Sequence, residues 1–396
     1  MTRPRVPLLV VGASARAVAQ SAAAAGFEVG AIDLFNDVDL LQVAGETRRS
    51  VRFPTDILKL VREFPPSSWL YTGGLENYPR LVERISADRP LFGCPASVLR
   101  QVRNLAALSR QLDVRPLGVE IPRTITPAEF AAGLAPDDAA PDRPWLLKRR
   151  RSSAGLGVVR WTPATADNLP RGAYLQQEIV GTTYGASYLS NGREACFLGL
   201  AEQLVQPASD GTAPFRYAGS ITAPKPTTLD LARLAMLGDE LARRFGIVGL
   251  FGIDLVRTPD GRWYLLELNP RPTASMELWE PPADRPSLIE WHVQTCLNGR
   301  LPTFPELPPP ATYRGKLVVY ARELRGRVSP QLSDQLMHDA SHHGRNAVGR
   351  HSTSRHDRRA GPAAVDGLAI GRVARSFADC ATGRRARAVA DVCREA

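Results

Sequence analysis

The amino-acid sequence predicts a protein of mixed α/β and α+β class, and three segments carry this prediction. Residues 6–35 alternate strand, glycine turn, alanine-rich helix and strand, which is the order of a β-α-β unit. From Trp145 an apolar strand leads into a Ser/Gly-rich loop and a second strand. Residues 251–268 contain two β-rich runs separated by a Pro-Asp-Gly turn, the pattern of a β-hairpin. A parallel unit followed by antiparallel strands indicates more than one domain.

The length and composition of the chain limit the classes of protein to which it can belong. The chain has 396 residues, of which 44% are hydrophobic, so it can bury a large core in two or three domains. No apolar stretch approaches the ~20 residues needed to span a bilayer. The formal net charge of +10 suits a nucleotide triphosphate or an acidic substrate. We find no C2H2 pattern and no aromatic-interleaved RNA motif, so nucleic acid and membrane are not expected partners.

Cysteine usage and the N-terminal segment bear on the compartment. The cysteines are odd in number, five, and none has C-x-x-C spacing, which argues against a zinc knuckle and against a disulfide framework. Arg3 and Arg5 precede an apolar run, so an export signal is an alternative. Gly12 and Arg16 shorten that run, and the strand that follows continues the domain. We therefore expect a cytoplasmic protein.

The glycine turn after the first strand raises the question of NAD(P) binding. A dinucleotide fingerprint needs three glycines, whereas only Gly12 is present, with Ser14 and Ala17 at the other two places. Asp33 lies near the distance at which such folds place a ribose-binding acid. An NAD(P)-dependent oxidoreductase therefore stays open as an alternative.

The hairpin carries the most chemistry. Side chains alternate along a strand, so Glu267 and Asn269 should project from one face. With a turn at Thr258–Gly261, Asp254 pairs with Leu265 and lies on that face, diagonal to Glu267. Three oxygen ligands of this kind suit Mg²⁺ or Mn²⁺ that shares its remaining ligands with a substrate phosphate. A solvated hairpin edge is the alternative, but a carboxylate in such an apolar run is costly unless it is paired or binds a metal.

Lys148 ends the apolar strand that begins at Trp145. The loop from Ser152 to Gly157 follows, and its backbone amides can close over phosphate oxygens while the lysine neutralises them. Lys148 is one of four lysines in a chain whose remaining positive charge is arginine. A basic surface hairpin with a flexible tip is the alternative.

The hairpin motif resembles the C-terminal signature of the ATP-grasp superfamily, most of whose members are carboxylate–amine ligases. The resemblance rests on the 13-residue gap between Asp254 and Glu267, on the E-L-N triplet, and on Arg271 just after it. Lys148 with its loop and the run YLQQEIVGTTYGASY from Tyr174 look like two further ATP-grasp segments in the family's order. The N-terminal unit looks like the half-Rossmann domain that precedes the ATP-grasp region. The match covers about residues 5–325 and is closest to proteins related to carbamoyl-phosphate synthetase-type carboligases.

The resemblance implies a fold in which nucleotide lies between two α+β subdomains. It implies that Asp254, Glu267 and Asn269 hold Mg²⁺ and that Lys148 contacts the α- and β-phosphates. It also implies that Arg271 stabilises the transferred phosphoryl group or the acyl intermediate. The further ATP contacts that it implies are Ser152, Ser153, Gly155, Gly157, Gln177, Glu178, Ile179 and Gly181.

The chain departs from the family pattern in three places. Arg149 follows Lys148 where proline is common, and Asn104 stands near the expected place of a further lysine. Thr182 and its neighbours replace an acid that often follows the glycine of the adenine-binding segment. These departures concern one phosphate contact and the ribose contact, whereas the metal ligands match the family pattern.

Five side chains are candidates for substrate binding. Glu76 and Asn77 follow a predicted strand, at the carboxyl end where α/β folds place ligands. Arg216 and Lys225 lie in a segment that resembles the ATP-grasp stretch facing the acyl-phosphate site, and they can hold an acidic substrate. Glu277, just beyond Arg271, is an acid/base candidate. Capping by Asn77 and solvent exposure of the two cations are the alternatives.

The chain divides at changes of composition. We expect an N-terminal pre-ATP-grasp domain at 1–105, a lid subdomain at 106–185 and a C-terminal subdomain with the metal site at 186–325. The 326–396 tail holds five of the six histidines and no lysine, and its irregular spacing predicts a disordered extension rather than a metal site. A frame-shifted terminus is a further hypothesis for it.

One long helix is predicted between the nucleotide segments, at Thr228–Phe245. The apolar residues that predict it are Leu231, Leu234, Met236, Leu237 and Leu241.

The expected function follows from the resemblance. The protein would use ATP to convert a small-molecule carboxylate into an acyl phosphate and would then join it to a small-molecule amine. A homo-oligomer is compatible with this expectation. The alternatives are the NAD(P)-dependent oxidoreductase and a non-catalytic ATP-binding protein.

Overall fold

Three β-sheets with helices packed against them make up the computed structural model. It describes residues 6–103, 108, 110–134, 144–162, 169–205, 215–222, 227–303, 314–320 and 370–373. Asn104 and Lys225 lie outside the described residues, as do Cys380 and Cys393 and most of the predicted tail.

The N-terminal sheet has four parallel strands in the order β3-β2-β1-β4. The strands are β1 (Pro7–Val11), β2 (Glu28–Asp33), β3 (Glu46–Arg49) and β4 (Ser68–Tyr71). The helices of this region are α1 (Arg16–Ala24), α2 (Val38–Val43), α3 (Ile57–Arg62), α4 (Pro79–Ser86) and α5 (Ala96–Val102). Helices cover both faces of a parallel sheet, so the inner strands are almost wholly apolar. The predicted β-α-β unit is confirmed as β1-α1-β2.

A small antiparallel sheet follows, in the order β6-β9-β7-β8. Its strands are β6 (Thr124–Ile125), β7 (Trp145–Arg149), β8 (Val159–Trp161) and β9 (Ala173–Gln177), and the short helix α6 (Pro127–Ala131) lies beside them. Ile125, Trp145 and Leu175 form the buried hydrophobic cluster of this sheet in the described part of the chain. This cluster is smaller than the two other hydrophobic clusters of the described residues.

The third sheet has eight strands in the order β16-β15-β12-β11-β10-β13-β14-β5. Its strands are β5 (Val119–Glu120), β10 (Thr182–Asn191), β11 (Ala195–Val205), β12 (Tyr217–Thr222), β13 (Val248–Arg257), β14 (Trp263–Asn269), β15 (Gly315–Tyr320) and β16 (Ile370–Val373). All neighbours are antiparallel except β5 and β14. β16 lies in the segment for which the sequence predicts disorder, and there the chain pairs with β15.

Two helices pack on this sheet, α7 (Thr228–Phe245) and α8 (Leu288–Asn298). The predicted span of α7 is confirmed, because Thr227 accepts a hydrogen bond from the Asp230 amide at its start and Gly246 ends it. The predicted apolar face is wrong at two positions, since Leu231 and Met236 are 38% and 48% exposed. At 100° per residue Met236 points away from the buried face. Among the described helices, none combines the length and apolarity needed to cross a membrane.

The register of the hairpin differs from the prediction. Arg257 pairs with Trp263, and a β-bulge between Asp254 and Leu255 leaves one extra residue on β14. The predicted pairing of Asp254 with Leu265 is therefore wrong. The bulge sets Asp254 directly opposite Glu267, and directly opposed residues of antiparallel strands share a face. The prediction that the two carboxylates share a face is confirmed, with the carboxylates closer than expected.

Candidate functional site

One cleft of about 890 Å³ lies where the three sheets meet. The predicted site residues that line it are Lys148, Ser152, Ser153, Gly155, Gln177, Glu178, Ile179, Gly181, Asp254, Glu267, Asn269, Arg271 and Glu277. Four predicted site residues in the described part of the chain do not line the cleft: Glu76, Asn77, Gly157 and Arg216. Residues far apart in the chain therefore meet in one cavity, as the sequence predicts.

Asp254 occupies the centre of a hydrogen-bonded group on the hairpin. Its Oδ1 accepts a hydrogen bond from Gln203 Nε2 at 2.6 Å, and its Oδ2 accepts one from Asn269 Nδ2 at 3.0 Å. Burial raises the pKa of Asp254, and repulsion from Glu267 raises it further. The site differs from the expected set of three oxygen ligands in one respect, because Asn269 turns its amide nitrogen, not its oxygen, towards Asp254. Rotation of the amide by 180° presents the oxygen instead.

Arg103 is a cleft residue that the sequence reasoning missed. Its Nη1 pairs with Glu267 Oε1, and its Nη2 donates to Asn77 Oδ1 at 2.6 Å and to the Arg150 carbonyl at 3.3 Å. Burial alone would raise the pKa of Glu267, but attraction by Arg103, Lys148 and Arg271 outweighs it and lowers that pKa. The available signal was position, since Arg103 immediately precedes Asn104, near which the family resemblance implies a lysine.

Lys148 faces the same carboxylates from the small sheet. Its Nζ donates to Gln176 Oε1 at 2.6 Å. Burial lowers the pKa of Lys148, while Glu267 and Asp254 oppose that shift by attracting the charge. An ammonium in a desolvated position with nearby carboxylates is suited to receive phosphate oxygens.

The loop after β7 closes onto the large sheet. The Tyr217 amide donates to the Ala154 carbonyl at 3.1 Å. Gly155 has φ +73°, and a Cβ there would lie 1.8 Å from the Phe215 carbonyl oxygen. Only glycine allows this close approach at a positive φ. The loop thus connects the two sheets over the cleft.

The strand end predicted to contact adenine borders the loop. Glu178 accepts two hydrogen bonds from Arg160, at 3.0 and 2.9 Å, so its carboxylate is held by this arginine. A Cβ at Gly181 would lie 2.3 Å from the Arg257 carbonyl oxygen, which requires glycine where β10 approaches β13. Gln177 and Ile179 line the cleft on either side of Glu178.

Arg271 is held from behind by Glu76. Its Nε donates to Glu76 Oε1 at 2.9 Å, and Nη2 donates to Asn269 Oδ1 at 3.3 Å. Glu76 is 1% exposed, so it does not face a substrate as the sequence suggested. Asn77 does not cap α4 either, because the residue at that cap is Tyr78 and Asn77 instead accepts from Arg103. Both residues orient cleft arginines.

Glu277 lies between two buried cations from different domains. Arg16 of α1 and Lys316 of β15 both pair with its carboxylate, and Arg16 also lies 3.4 Å from Asp39. The carboxylate is therefore fixed in an ionic cluster, which does not suit an acid/base that exchanges protons. Arg16 and Lys316 were missed because their partner is more than 35 residues away in each case.

Asp33 is buried and does not line the cleft. Its carboxylate accepts amide hydrogen bonds from Ala15, Phe35 and Asn36 at 3.1, 3.0 and 2.8 Å, and burial raises its pKa. A Cβ at Gly12 would lie 2.0 Å from Thr72 Oγ1, so packing against β4 explains this glycine. The two residues that suggested NAD(P) binding, Gly12 and Asp33, thus make contacts within the N-terminal sheet and its loops.

Comparisons with known proteins agree with this geometry. Residues 108–275 match the family model described as the ATP-grasp domain. No curated protein sequence matches the chain.

Several solved structures share the whole fold. The ADP complex of purK, an N5-carboxyaminoimidazole ribonucleotide synthetase, has 17% identity and a TM-score of 0.64, with 96% of this chain and 95% of that chain covered. The biotin carboxylase domain of Hydrogenobacter thermophilus 2-oxoglutarate carboxylase, crystallised with MgADP, ADP and bicarbonate, has 15% identity and a TM-score of 0.65 over 93% and 86%. L-amino acid ligase from Bacillus licheniformis has 15% identity and a TM-score of 0.62 over 98% and 96%.

These matches establish the fold. The chain has the ATP-grasp fold, with an ATP-grasp domain over residues 108–275. The predicted resemblance is confirmed.

Proposed function

We propose that the protein is an ATP-dependent ligase that joins a small-molecule carboxylate to an amine through an acyl phosphate. One observation carries the proposal: Asp254 and Glu267 stand side by side in a cleft that also contains Lys148 and Arg271. The names of the similar structures, a synthetase, a carboxylase domain and an amino acid ligase, support this reaction class.

The donor set of the hairpin fits a divalent cation. Asp254 and Glu267 supply two adjacent carboxylates, and Asn269 supplies an amide within hydrogen-bonding distance of the first. Hard oxygen donors that leave room for phosphate oxygens and water are those that Mg²⁺ prefers. Bound there, Mg²⁺ or Mn²⁺ would neutralise charge on the transferring phosphate.

Lys148 and the loop at Ser152–Gly155 would hold the phosphates of ATP. Two carboxylates alone would repel a triphosphate. The positive charges of Lys148, Arg103 and Arg271 offset the negative charge of these carboxylates. The Glu178 region would border the adenine. Because these groups are fixed before the nucleotide binds, their reorganisation cost during phosphoryl transfer is small.

Arg271 would act on the transferred group. A carboxylate oxygen of the substrate attacks the γ-phosphorus, the bond from that phosphorus to the β,γ-bridging oxygen breaks, and ADP leaves. An amine nitrogen then attacks the acyl carbon, the bond from that carbon to the phosphate oxygen breaks, and inorganic phosphate leaves together with the proton that the nitrogen loses. Glu76 holds the Arg271 guanidinium towards the cleft, where charge develops on the phosphoryl oxygens.

The domain arrangement follows from this assignment. We assign residues 1–105 to a domain that borders the substrate end, 106–185 to the lid and 186–325 to the subdomain with the metal ligands. Ala13, Ser14 and Leu34 of the first segment line the cleft, as does Ser275 of the third segment. A reaction that consumes ATP suits the cytoplasm.

The test is release of ADP, screened over pairs of amino acids and small carboxylates. We expect Glu267→Gln to lower turnover at least 100-fold and Lys148→Met to weaken MgATP binding 10- to 100-fold, since a hydrogen bond to a charged group contributes about 1.5–3 kcal/mol. Glu194→Gln, exposed on the β10–β11 turn, is the matched control and should behave as the wild type.

Three outcomes would contradict the proposal. Unchanged turnover in Glu267→Gln would reject the metal assignment. MgATP binding without ADP release for any pair would indicate a non-catalytic ATP-binding protein. Thermal protection by NAD(P) but not by MgATP would favour an oxidoreductase.

A further inference from the structure

A second concave site lies on the N-terminal domain, away from the metal ligands. We call it the basic pocket, and its volume is about 890 Å³. The cations that line it are Lys59, Arg62, Arg80, Arg84, Arg100 and Arg151. Helices α3, α4 and α5 and the loop after β7 supply them. No carboxylate is among the described residues that line it.

The cations of the basic pocket differ from other surface arginines in their pairing. Elsewhere Arg48, Arg115 and Arg243 each pair with a nearby acid. In the described part of the chain, Lys59, Arg62, Arg80 and Arg84 have no ion-pair partner. Arg100 pairs with Glu83, and Arg151 lies over the Tyr78 ring at 5.2 Å. The pocket therefore holds an excess of positive charge that the protein does not itself balance.

The spacing of these cations is unfavourable for the helices that carry them. Arg80 and Arg84 are four residues apart on α4, and Lys59 and Arg62 are three apart on α3. Like charges at these spacings lie on one helix face and destabilise it by about 0.2–0.5 kcal/mol per pair. All four side chains nevertheless line the same cavity. A concave surface lined by one sign of charge concentrates counter-ions.

We infer that the basic pocket binds a small polyanion, which is a phosphate ester or a polycarboxylate. Its volume is that of a site for a metabolite-sized molecule. Pro54, Leu58 and Leu81 form apolar wall next to the cations, where a carbon skeleton can pack. Guanidinium groups bind phosphate and carboxylate oxygens in the same bidentate manner.

The shape favours a small molecule over nucleic acid. The cations surround one cavity rather than follow a strip along the surface, and Tyr78 is the only aromatic residue among the described residues that line it. A nucleic-acid groove needs a longer charged track with stacking platforms.

The test is calorimetric titration of the full chain with inorganic pyrophosphate and, separately, with citrate. The pocket variant is Arg80→Glu/Arg84→Glu. The matched control is Arg171→Glu/Arg193→Glu, two exposed arginines that line neither cavity. Lys148→Met removes the main phosphate contact proposed for the cleft, so binding that this variant keeps and the pocket variant loses belongs to the basic pocket. Circular dichroism and the unfolding midpoint check that each variant folds.

We expect at least one probe to bind wild type, control and Lys148→Met with equal affinity and to bind the pocket variant at least tenfold more weakly. The tighter probe distinguishes phosphate from carboxylate recognition. The inference is overturned if the pocket variant binds as well as the wild type, if neither probe binds, or if Lys148→Met abolishes all binding. Equally weakened binding in the control variant would also overturn it, because the probes would then respond to the net charge of the protein rather than to the basic pocket. Tighter binding of a single-stranded oligonucleotide through the same arginines would indicate a nucleic-acid surface instead.

Discussion

Arg103 forms an ion pair with Glu267, across 164 residues of sequence, at the carboxylate that we propose as a metal ligand. Arg103 is 14% exposed and Glu267 is 41% exposed, into the cleft. The guanidinium thus places positive charge beside two carboxylates that would otherwise repel each other. A divalent cation at the hairpin would do the same.

We therefore expect Arg103→Met to make the protein depend on metal for its stability. Removal of one partner of a buried pair costs about 3–5 kcal/mol, and the exposure of Glu267 reduces that to about 1–3 kcal/mol. Added Mg²⁺ should raise the unfolding midpoint of the variant more than that of the wild type. Thermal unfolding in EDTA and in Mg²⁺ measures this, with Arg243→Met as the exposed control. An equal response to Mg²⁺ in both proteins would contradict the prediction.

Glu76→Gln tests whether Glu76 acts by orienting Arg271. The variant leaves a mostly buried guanidinium without its counter-charge, so we expect a loss of about 1–3 kcal/mol in the free energy of unfolding. Turnover should fall about tenfold, with unchanged MgATP affinity, since Glu76 does not line the cleft. A double-mutant cycle with Arg271→Met should show strong coupling. Glu63→Gln, at an exposed ion pair with Arg48, is the control, and effects as large there would refute the positioning role.

Gly155→Ala should open the loop over the cleft. A Cβ would collide with the Phe215 carbonyl, in addition to the strain of φ +73°. Gly172→Ala is a matched control, because Gly172 has φ +78° but open space around its Cβ position. Both variants should lose about 1 kcal/mol from backbone strain. Only Gly155→Ala should speed the release of a fluorescent nucleotide in stopped-flow measurements, by about tenfold. Equal release rates in the two variants would show that the contact with Phe215 does not hold the loop closed.

His292 should make the folded state sensitive to acid. Its Nδ1 accepts from the Leu250 amide at 2.8 Å, and burial lowers its pKa from 6.5 to about 4. The neutral ring is thus favoured in the folded protein. Its contribution is fully present above pH 6.5 and is lost as the pH falls towards 4, by about 3 kcal/mol at most. Urea unfolding at pH 7.5 and pH 5 should show this loss in the wild type and a smaller one in His292→Gln. The same pH dependence in both would assign the effect to other groups.

The elements of the site could be predicted because their signals are local. The turn residues and the alternation of side chains along Trp263–Asn269 predict the hairpin. The capping residue and the 3.6-residue period of apolar residues predict α7. The order of Lys148, its loop and the hairpin also follows directly from the chain. Each of these signals depends on residues within a few positions of one another.

The partners of the site residues could not be predicted in the same way. A turn one residue longer than expected and a bulge in β14 together moved Glu267 from a diagonal position to one directly opposite Asp254, and the turn residues predict neither change. Glu76 meets Arg271 across 195 residues and Arg16 meets Glu277 across 261. An ion pair of this kind depends on how distant segments pack. The alternation of apolar residues and the helix-capping residues do not predict that packing.

The amino-acid sequence alone thus determined which segments form the strands and helices of the site and which side chains are candidates for the metal and phosphate binding that we propose, since hydrogen-bonding propensity and side-chain alternation act over neighbouring residues. Only the tertiary structure decided which charge balances which. The packing of three sheets around one cleft brought Arg103 to Glu267, placed Glu76 behind Arg271, and gathered six cations in the basic pocket, because electrostatic partners are selected by distance in space rather than by distance along the chain.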